Sequence, residues 1–416
     1  MNILLINHYA GSPRHGMEYR PYYLAREWVR SGHAVTIVAA SFSHVRQRQP
    51  EVGAQPLEEQ IDGIGYRWLP VPAYVGNGFA RAKNIWSFLR RVWREGPRLA
   101  ETIRPDVVIA SSTYPFDIWA ARRIAKLARA RLVYEVHDLW PASPIELGGM
   151  SPRHPFIMLC QKAENDAYRD ADAVVSMLPC VADHMRAHGL DLGRLYIVSN
   201  GIALDDWVCA PPAPLEPALA EHLRTQRSQG RLVVGYAGSH GRPNALDVLL
   251  DAAALLRDAA FAFVLVGDGM EKGRLAARIR DEALQNVRMF PPVPKDRIAA
   301  LLEEFDVAYI GWLRQPIYRF GIAPNKLMDY MMAGCAVLHS VEAGNDPVAQ
   351  AGCGLTVPPE DAEAVVQGLG RLAAMTSDER RGMGARGRAF VLQHHTYDVL
   401  ARRFLEAVAA APRRTR

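Results

Sequence analysis

The residues best suited to chemistry lie late in the chain, in the run Phe320-Gly321-Ile322-Ala323-Pro324-Asn325-Lys326-Leu327-Met328-Asp329. Pro324 suits a helix start, where the N–H groups of the next residues have no partner inside the helix and draw negative charge; Lys326 adds a point charge beside them. Asp329 follows Lys326 by three residues on the same helical face, where a carboxylate can accept two ribose hydroxyls. A solvated Lys326–Asp329 surface pair is the plainer alternative. Upstream, Gly235-Tyr236-Ala237-Gly238-Ser239-His240-Gly241-Arg242 and Val266-Gly267-Asp268-Gly269 offer glycine turns in which a phosphate or a base can lie against backbone, although each alone is a weak signal.

The first half holds two further groups. His8-Tyr9-Ala10-Gly11-Ser12-Pro13-Arg14-His15-Gly16-Met17-Glu18 leads into a helical pattern, and Gly11, Gly16 and Met17 would let backbone N–H groups approach an anion. It is not G-x-G-x-x-G, and an ordinary strand-to-helix turn stays open as the alternative. His137 and Asp138 follow the apolar run 132–136, at the carboxyl end of an expected strand. Ligands bind outside such strand ends in open α/β sheets, although a histidine satisfied at a sheet edge has the same look.

Positioning these groups falls to short apolar, β-branched runs that alternate with amphipathic stretches, the pattern of βα units around a parallel sheet. The runs predict strands over 3–6, 35–38, 66–69, 107–110, 132–136, 173–176 and 195–198, then over 232–236, 261–266, 287–289, 307–310, 336–339 and 355–357, with helices after Asp361. A chain of 416 residues exceeds the size at which single cores usually stop growing. The expectation is therefore α/β with two doubly wound domains. Residues 1–200 form the first and 231–394 the second. The Pro-rich, then polar, segment 201–230 reads as junction and linker, and 395–416 as a last helix returning to the first domain. The carboxyl ends of both sheets are expected to face a shared cleft.

Composition excludes several function classes. No apolar run reaches the roughly 18 residues of a spanning helix, and no signal peptide is readable at Met1-Asn2-Ile3-Leu4-Leu5-Ile6, so a cytoplasmic location is expected. Cys160, Cys180, Cys209, Cys335 and Cys353 form no C-x-x-C pair, and the histidines form no H-E-x-x-H; free thiols and no metal are expected. The net charge of +5 sits wholly in the first half, where residues 1–200 carry 24 Lys and Arg against 19 Asp and Glu. That half should meet an acidic partner. Within it, residues 80–98 set Arg81, Lys83, Arg90, Arg91, Arg94 and Arg98 against Glu95 alone, interleaved with Ile85, Trp86, Phe88, Leu89, Val92 and Trp93. This predicts a helix whose Trp86, Phe88, Leu89 and Trp93 face docks on an anionic membrane surface, against the plainer reading of a solvated helix packed on its own domain. No nucleic-acid signature accompanies it.

Taken in order, the N-terminal glycine loop, Ser31-Gly32-His33, His137, Ser199-Asn200-Gly201-Ile202 and the block from Pro324 to Gly334 resemble a retaining glycosyltransferase of the GT-B fold, family four, over nearly the whole chain. Asp138-Leu139-Trp140-Pro141 and the run from Phe320 to Lys326 are similar to the branch of bacterial O-antigen and capsule enzymes that includes L-fucosamine transferases. The resemblance implies a nucleotide-sugar donor, UDP-linked, bound without metal or other cofactor, and a lipid-linked saccharide acceptor. It implies peripheral association with the inner face of the cytoplasmic membrane.

The resemblance also assigns roles. Gly238, Gly267 and Val293 would lie near base and diphosphate, Asn325 and Lys326 at the phosphates, and Asp329 on the ribose, with Ser239, His240, Gly321, Ile322, Ala323 and Pro324 also donor-binding. His137 and Asp138 would serve the reacting sugar, and Gly11, Gly16 and Met17 the acceptor side. The family's Glu-x7-Glu pattern places Asp329 at the second acid and Gly321 at the first, so one acid is missing. Of the usual arginine and lysine after the second-domain glycine turn only Arg242 is obvious, which leaves Arg314, Arg319 or Lys326 to share the pyrophosphate. A non-hydrolysing nucleotide-sugar epimerase and a non-catalytic sugar-nucleotide-binding partner are the rival readings.

Overall fold

The computed structural model describes residues 1–76, 78–208 and 213–412. They divide into two compact units, Met1–Asn200 with Tyr397–Arg416, and Gly201–Thr396. The first is built on strands β1 (Asn2–Ile6), β2 (Ala34–Ala40), β3 (Leu57–Ile61), β4 (Ile64–Leu69), β5 (Val107–Ala110), β6 (Arg131–Val136), β7 (Ala173–Ser176) and β8 (Leu195–Ile197). Their order is β3-β4-β2-β1-β5-β6-β7-β8, parallel throughout except for the β3–β4 pair. Ile3, Leu4, Leu5 and Ile6 are all fully buried. Helices cover both faces of such a sheet, so its central strands read as continuous apolar runs rather than alternating ones.

The second unit holds β9 (Leu232–Ala237), β10 (Phe261–Val266), β11 (Val287–Phe290), β12 (Val307–Gly311), β13 (Ala336–Ser340) and β14 (Gly354–Val357), all parallel in the order β11-β10-β9-β12-β13-β14. Both units are thus doubly wound, as the alternation of runs implies. In each, the chain reverses its direction of winding beside the first strand: between β1 and β5, and between β9 and β12. Such switch points open a crevice at the strand carboxyl ends, the usual ligand position.

Two elements differ from the sequence expectation. Strand β3 is an edge strand with Glu58 and Glu59 on it, so it lacks the apolar run that marks the others; its hairpin turns at Asp62-Gly63, both with positive φ (51° and 79°). Charged residues on an edge block pairing with another chain. The segment read as linker contains a helix, Pro217–Ser228, whose Leu219 and Leu223 enter the core of the second unit. Their spacing of four residues puts both on one helical face. Of the segment's cysteines and prolines, Cys209, Pro211 and Pro212 lie outside the described residues. The last helix, Tyr397–Ala410, packs in the first unit: Tyr397 stacks on Tyr23 at 4.8 Å, and Trp28 Nε1 donates to the Ala401 carbonyl at 3.0 Å.

Candidate functional site

At the switch point of the second sheet, β9 ends in the turn Gly238-Ser239-His240. Gly238 has φ +150°, and a Cβ there would stand 2.6 Å from Lys326 Cε. A Cβ on Gly267 would meet the Gly238 carbonyl oxygen at 1.8 Å. Glycine at both positions lets the two turns and the Lys326 side chain converge. Lys326 Nζ donates to Tyr236 Oη at 2.7 Å and to Asn244 Oδ1 at 2.9 Å, and lies 4.1 Å from the Tyr236 ring centroid. Burial brings its ammonium down to about 7. No carboxylate is among these partners, so the expected alternative of a Lys326–Asp329 surface pair does not form.

The helix carrying Lys326, Asn325–Met332, begins after Pro324 with no side-chain cap. Its first N–H groups therefore lack a capping side chain, next to a half-buried amine. Asn325 is exposed. Ahead of it, Asn345 holds Ile322 by both backbone groups: its Oδ1 accepts from the Ile322 N–H at 2.7 Å, and its Nδ2 donates to the Ile322 carbonyl at 3.1 Å. Gly321 turns the chain there at φ +93°. Asp329 is half-buried with Lys295 and Asp206 as charged neighbours, and burial pushes its carboxyl up to about 7, against the downward pull of Lys295. Val293 packs, partly buried, on the core of the second unit.

Other expected donor residues stand elsewhere. His240 is fully buried, with neither ring nitrogen hydrogen-bonded, under the Gly267-Asp268-Gly269 turn. Burial, helped by Lys272 and Lys326, brings its imidazole down to about 4. The ring is enclosed rather than offered to a ligand. Ser239 is exposed, and its carbonyl accepts from Tyr236 Oη at 2.6 Å. Arg242 borders a cavity of about 450 Å³ shared with Asp247, Glu271 and Glu360. Arg314 pairs with Glu342 at 3.4 Å, and Arg319 donates to the Pro316 carbonyl at 2.7 Å with its guanidinium over Phe320. Lys326 is the candidate cation whose side chain packs against Gly238.

At the switch point of the first sheet, His137 sits in a network reaching across four segments. Glu135 is buried on β6; its Oε1 accepts from Arg20 Nε at 2.9 Å and its Oε2 from Ser111 Oγ at 2.6 Å. His137 Nε2 lies 3.2 Å from Glu135 Oε2 and 3.0 Å from Ser111 Oγ. The single Ser111 proton goes to the carboxylate, so Nε2 is the donor, and in the neutral ring Nδ1 is the acceptor. Burial alone would raise the Glu135 carboxyl, but Arg20, His137 and the hydrogen bonds bring it down to about 2. Arg20 also donates to the carbonyls of Ser199 at 2.7 Å and Val198 at 2.8 Å, tying the network to the junction segment.

Asp138 is a loop residue instead. Its Oδ1 accepts from the Leu139 N–H at 2.9 Å and from Ser143 Oγ at 2.5 Å, which closes the turn into the short helix Ala142–Glu146. The N-terminal glycine loop differs from expectation too. The Gly11 N–H donates to the Glu18 carbonyl at 2.8 Å, and Ser12 and Gly16 exchange backbone bonds at 3.0 and 2.7 Å, so these N–H groups are consumed within the loop. Buried Arg46 fixes it from below through the carbonyls of Ala10 and His8. Met17 remains exposed.

Sequence reasoning missed Arg20, Ser111, Glu135, Tyr236, Asn244 and Asn345. Two carried a signal: Glu135 interrupts the apolar run Leu132-Val133-Tyr134, and Arg20 places a cation at a helix start, where the dipole disfavours it.

The basic stretch forms the helix Phe79–Ile103. Its Phe88 and Leu89 are core residues, so the expected docking face is corrected to a narrower one. Trp86 and Trp93 are 61% and 46% exposed and border an apolar cavity of about 630 Å³ with Trp119 and Leu159. Arg90 lines the same cavity and Arg94 is exposed. Among the described residues no helix is long and apolar enough to cross a membrane.

Residues 15–201 match the glycosyl transferase 4-like domain, and residues 231–375 match glycosyl transferases group 1. WcaI of Escherichia coli (strain K12), a putative colanic acid biosynthesis glycosyl transferase, is 26% identical over 275 residues, which span 64% of this chain and 66% of that protein. The fold is similar to that of sucrose-phosphate synthase from Thermosynechococcus elongatus, with a TM-score of 0.71, 16% identity and 98% of each chain covered. It is also similar to Anabaena HepE in complex with UDP and glucose, with a TM-score of 0.65, 14% identity and 98% and 99% of the two chains covered.

Proposed function

The chain belongs to the glycosyltransferases that join a 4-like domain to a group 1 domain, the two matches spanning about four fifths of its length, and on that premise we propose that it moves a sugar from a UDP-sugar to a lipid-linked saccharide in surface polysaccharide synthesis. The observation that carries this reading is the half-buried Lys326 amine beside Gly238 at the uncapped start of Asn325–Met332, a cationic cradle for a diphosphate. The carboxylate of Asp329, one helical turn on, takes the ribose hydroxyls. The UDP in HepE and the colanic acid role of WcaI support the donor and the pathway class.

Transfer proceeds with retention. The acceptor oxygen attacks the anomeric carbon on the face from which the diphosphate leaves, the carbon–oxygen bond to the diphosphate breaks, and a departing phosphate oxygen takes the acceptor proton. The protein's part is to stabilise leaving-group charge and to align the reactants. Lys326 and the helix N–H groups supply the first without a metal. His137, held by Glu135 with Nδ1 free to accept, orients a hydroxyl of the donor sugar. The acceptor reaches the first domain by way of the Met17 loop, and the Trp86, Arg90 and Trp93 surface holds that domain on an anionic membrane.

Calorimetric titration with UDP tests the donor assignment. Wild type is expected to bind, and Asp329→Ala to bind about 10- to 100-fold more weakly, the worth of a charge-assisted hydrogen-bond pair. An unchanged dissociation constant would place Asp329 outside the site.

A further inference from the structure

Glu164, His184 and His188 form a second titratable cluster in the first unit, with no member in the Arg20–Glu135–His137 network. Glu164 lies on the helix Pro155–Asp170; His184 lies on Ala182–Ala187, between β7 and β8, and His188 caps that helix. Four residues separate the two histidines, so they share a face, and their ring centroids are 4.6 Å apart. One ligand atom from each of the three residues lies within 4.8 Å of the others.

Two details point to a cation. The Glu164 side chain is 1% exposed, and among the described residues its ion-pair partner is His184, at 3.1 Å from Oε1. A carboxylate buried this deep keeps its oxygens on hydrogen-bond donors or on a cation. The neighbouring amide is shared between Glu164 and His188. Gln161 Nε2 lies 2.8 Å from Glu164 Oε2, 2.8 Å from Asn165 Oδ1 and 2.9 Å from His188 Nδ1. An amide nitrogen has two protons for these three neighbours. The amide can serve at most two of the three at once, so the His188 ring is not committed to this contact. Tyr168 Oη, donating to Glu164 Oε1 at 2.8 Å, supplies the outer hydrogen bond that orients a carboxylate ligand.

We propose that Glu164, His184 and His188 are a three-ligand site for a borderline divalent metal ion, zinc foremost, with solvent completing the coordination. Two imidazoles and a carboxylate suit zinc, and tetrahedral ligands at roughly 2.0–2.2 Å put neighbouring donors about 3.3 Å apart. His184 Nε2 and Glu164 Oε1 already stand near that spacing, at 3.1 Å, and a ligand atom of His188 lies within 4.8 Å of each. Bound metal would clamp the Ala182–Ala187 helix, which leads through β8 to the junction at Val198 and Ser199, onto Pro155–Asp170. It would therefore stabilise the first unit by mass action.

The test is calorimetric titration of chelator-stripped full-length protein with zinc chloride, alongside the visible absorption of added cobalt(II). One equivalent is expected to bind and to raise Tm. His184→Ala and His188→Ala should each weaken that binding at least tenfold, while His394→Ala leaves it unchanged. Glu164→Gln, which keeps size and hydrogen-bonding capacity, gives the same loss if an alanine variant fails to fold. Wild type without a stoichiometric zinc equivalent, or variants that bind as wild type does, would overturn the site.

Discussion

Lys326 carries the donor account at the level of single residues. With its amine near 7 by burial, a diphosphate arriving at pH 8 must restore the charge, so UDP binding should take up a proton. The nucleotide's own phosphate ionises near about 6 and is already charged. UDP affinity should then fall as pH rises above 7, approaching about tenfold per unit, and Lys326→Met should bind weakly with a flat profile. Calorimetry at pH 7, 8 and 9, in buffers of different ionisation enthalpy, reads both effects. A wild-type affinity independent of pH would remove Lys326 from the diphosphate.

Asp329 gives the opposite sign, on stability. Its carboxyl near 7 lies above the ordinary range, so the folded chain binds more protons than the unfolded between about 3.8 and 7, and stability is lost as pH rises through that window. Asp329→Asn should therefore melt higher than wild type at pH 8, with the gap closing toward pH 4, although its UDP affinity is lower. A residue kept for fold alone would show no such trade. In the first unit, His137→Ala should reduce turnover far more than UDP affinity, because the proposed nucleotide contacts lie in the other domain. Glu135→Gln should follow it by loosening the imidazole. Lys326 and Asp329 were legible because they share one helical turn. His137 was legible at its strand end, but its partners Arg20, Ser111 and Glu135 were not, since the first two stand 115 and 24 residues from Glu135 and meet only through sheet order.

Elements explain where reading by pattern succeeded and where it slipped. Buried parallel strands advertise themselves as apolar runs, and among the described residues thirteen of the fourteen strands are centred where those runs lie. The exception, β3, has its signal in the Asp62-Gly63 turn rather than in its own residues. The helix Phe79–Ile103 shows the limit of composition: its aromatics are split between a core face, with Phe88, and an open one, with Trp86 and Trp93. Periodicity separates the two only when the neighbours are known. If the open face meets lipid, Trp86→Ala with Arg90→Glu and Arg94→Glu should abolish sedimentation with anionic vesicles at low salt, each arginine being worth about 1 kcal/mol near the surface. Phe88→Ala should instead lower Tm, by removing a ring from the core. Wild type that ignores such vesicles would remove the membrane role of this helix.

On the scale of the whole molecule, charge and topology divide the work. The basic excess belongs to residues 1–200, and the groups proposed to meet the diphosphate stand at the β9–β12 switch point of the other unit. A diphosphate met by Lys326 and backbone N–H groups needs no metal, so EDTA should leave transfer unchanged while lowering Tm by emptying the Glu164, His184 and His188 site. Loss of transfer restored by magnesium or manganese would contradict the metal-free donor site. The most direct measurement of the central claim is mass spectrometry of lipid-linked saccharides after the protein is incubated with UDP-sugars and membrane extract from producing cells. The account predicts that the lipid-linked species gains one sugar and that Lys326→Ala abolishes the gain. An altered nucleotide sugar formed without acceptor, or lipid-linked species left unchanged with every donor, would contradict it.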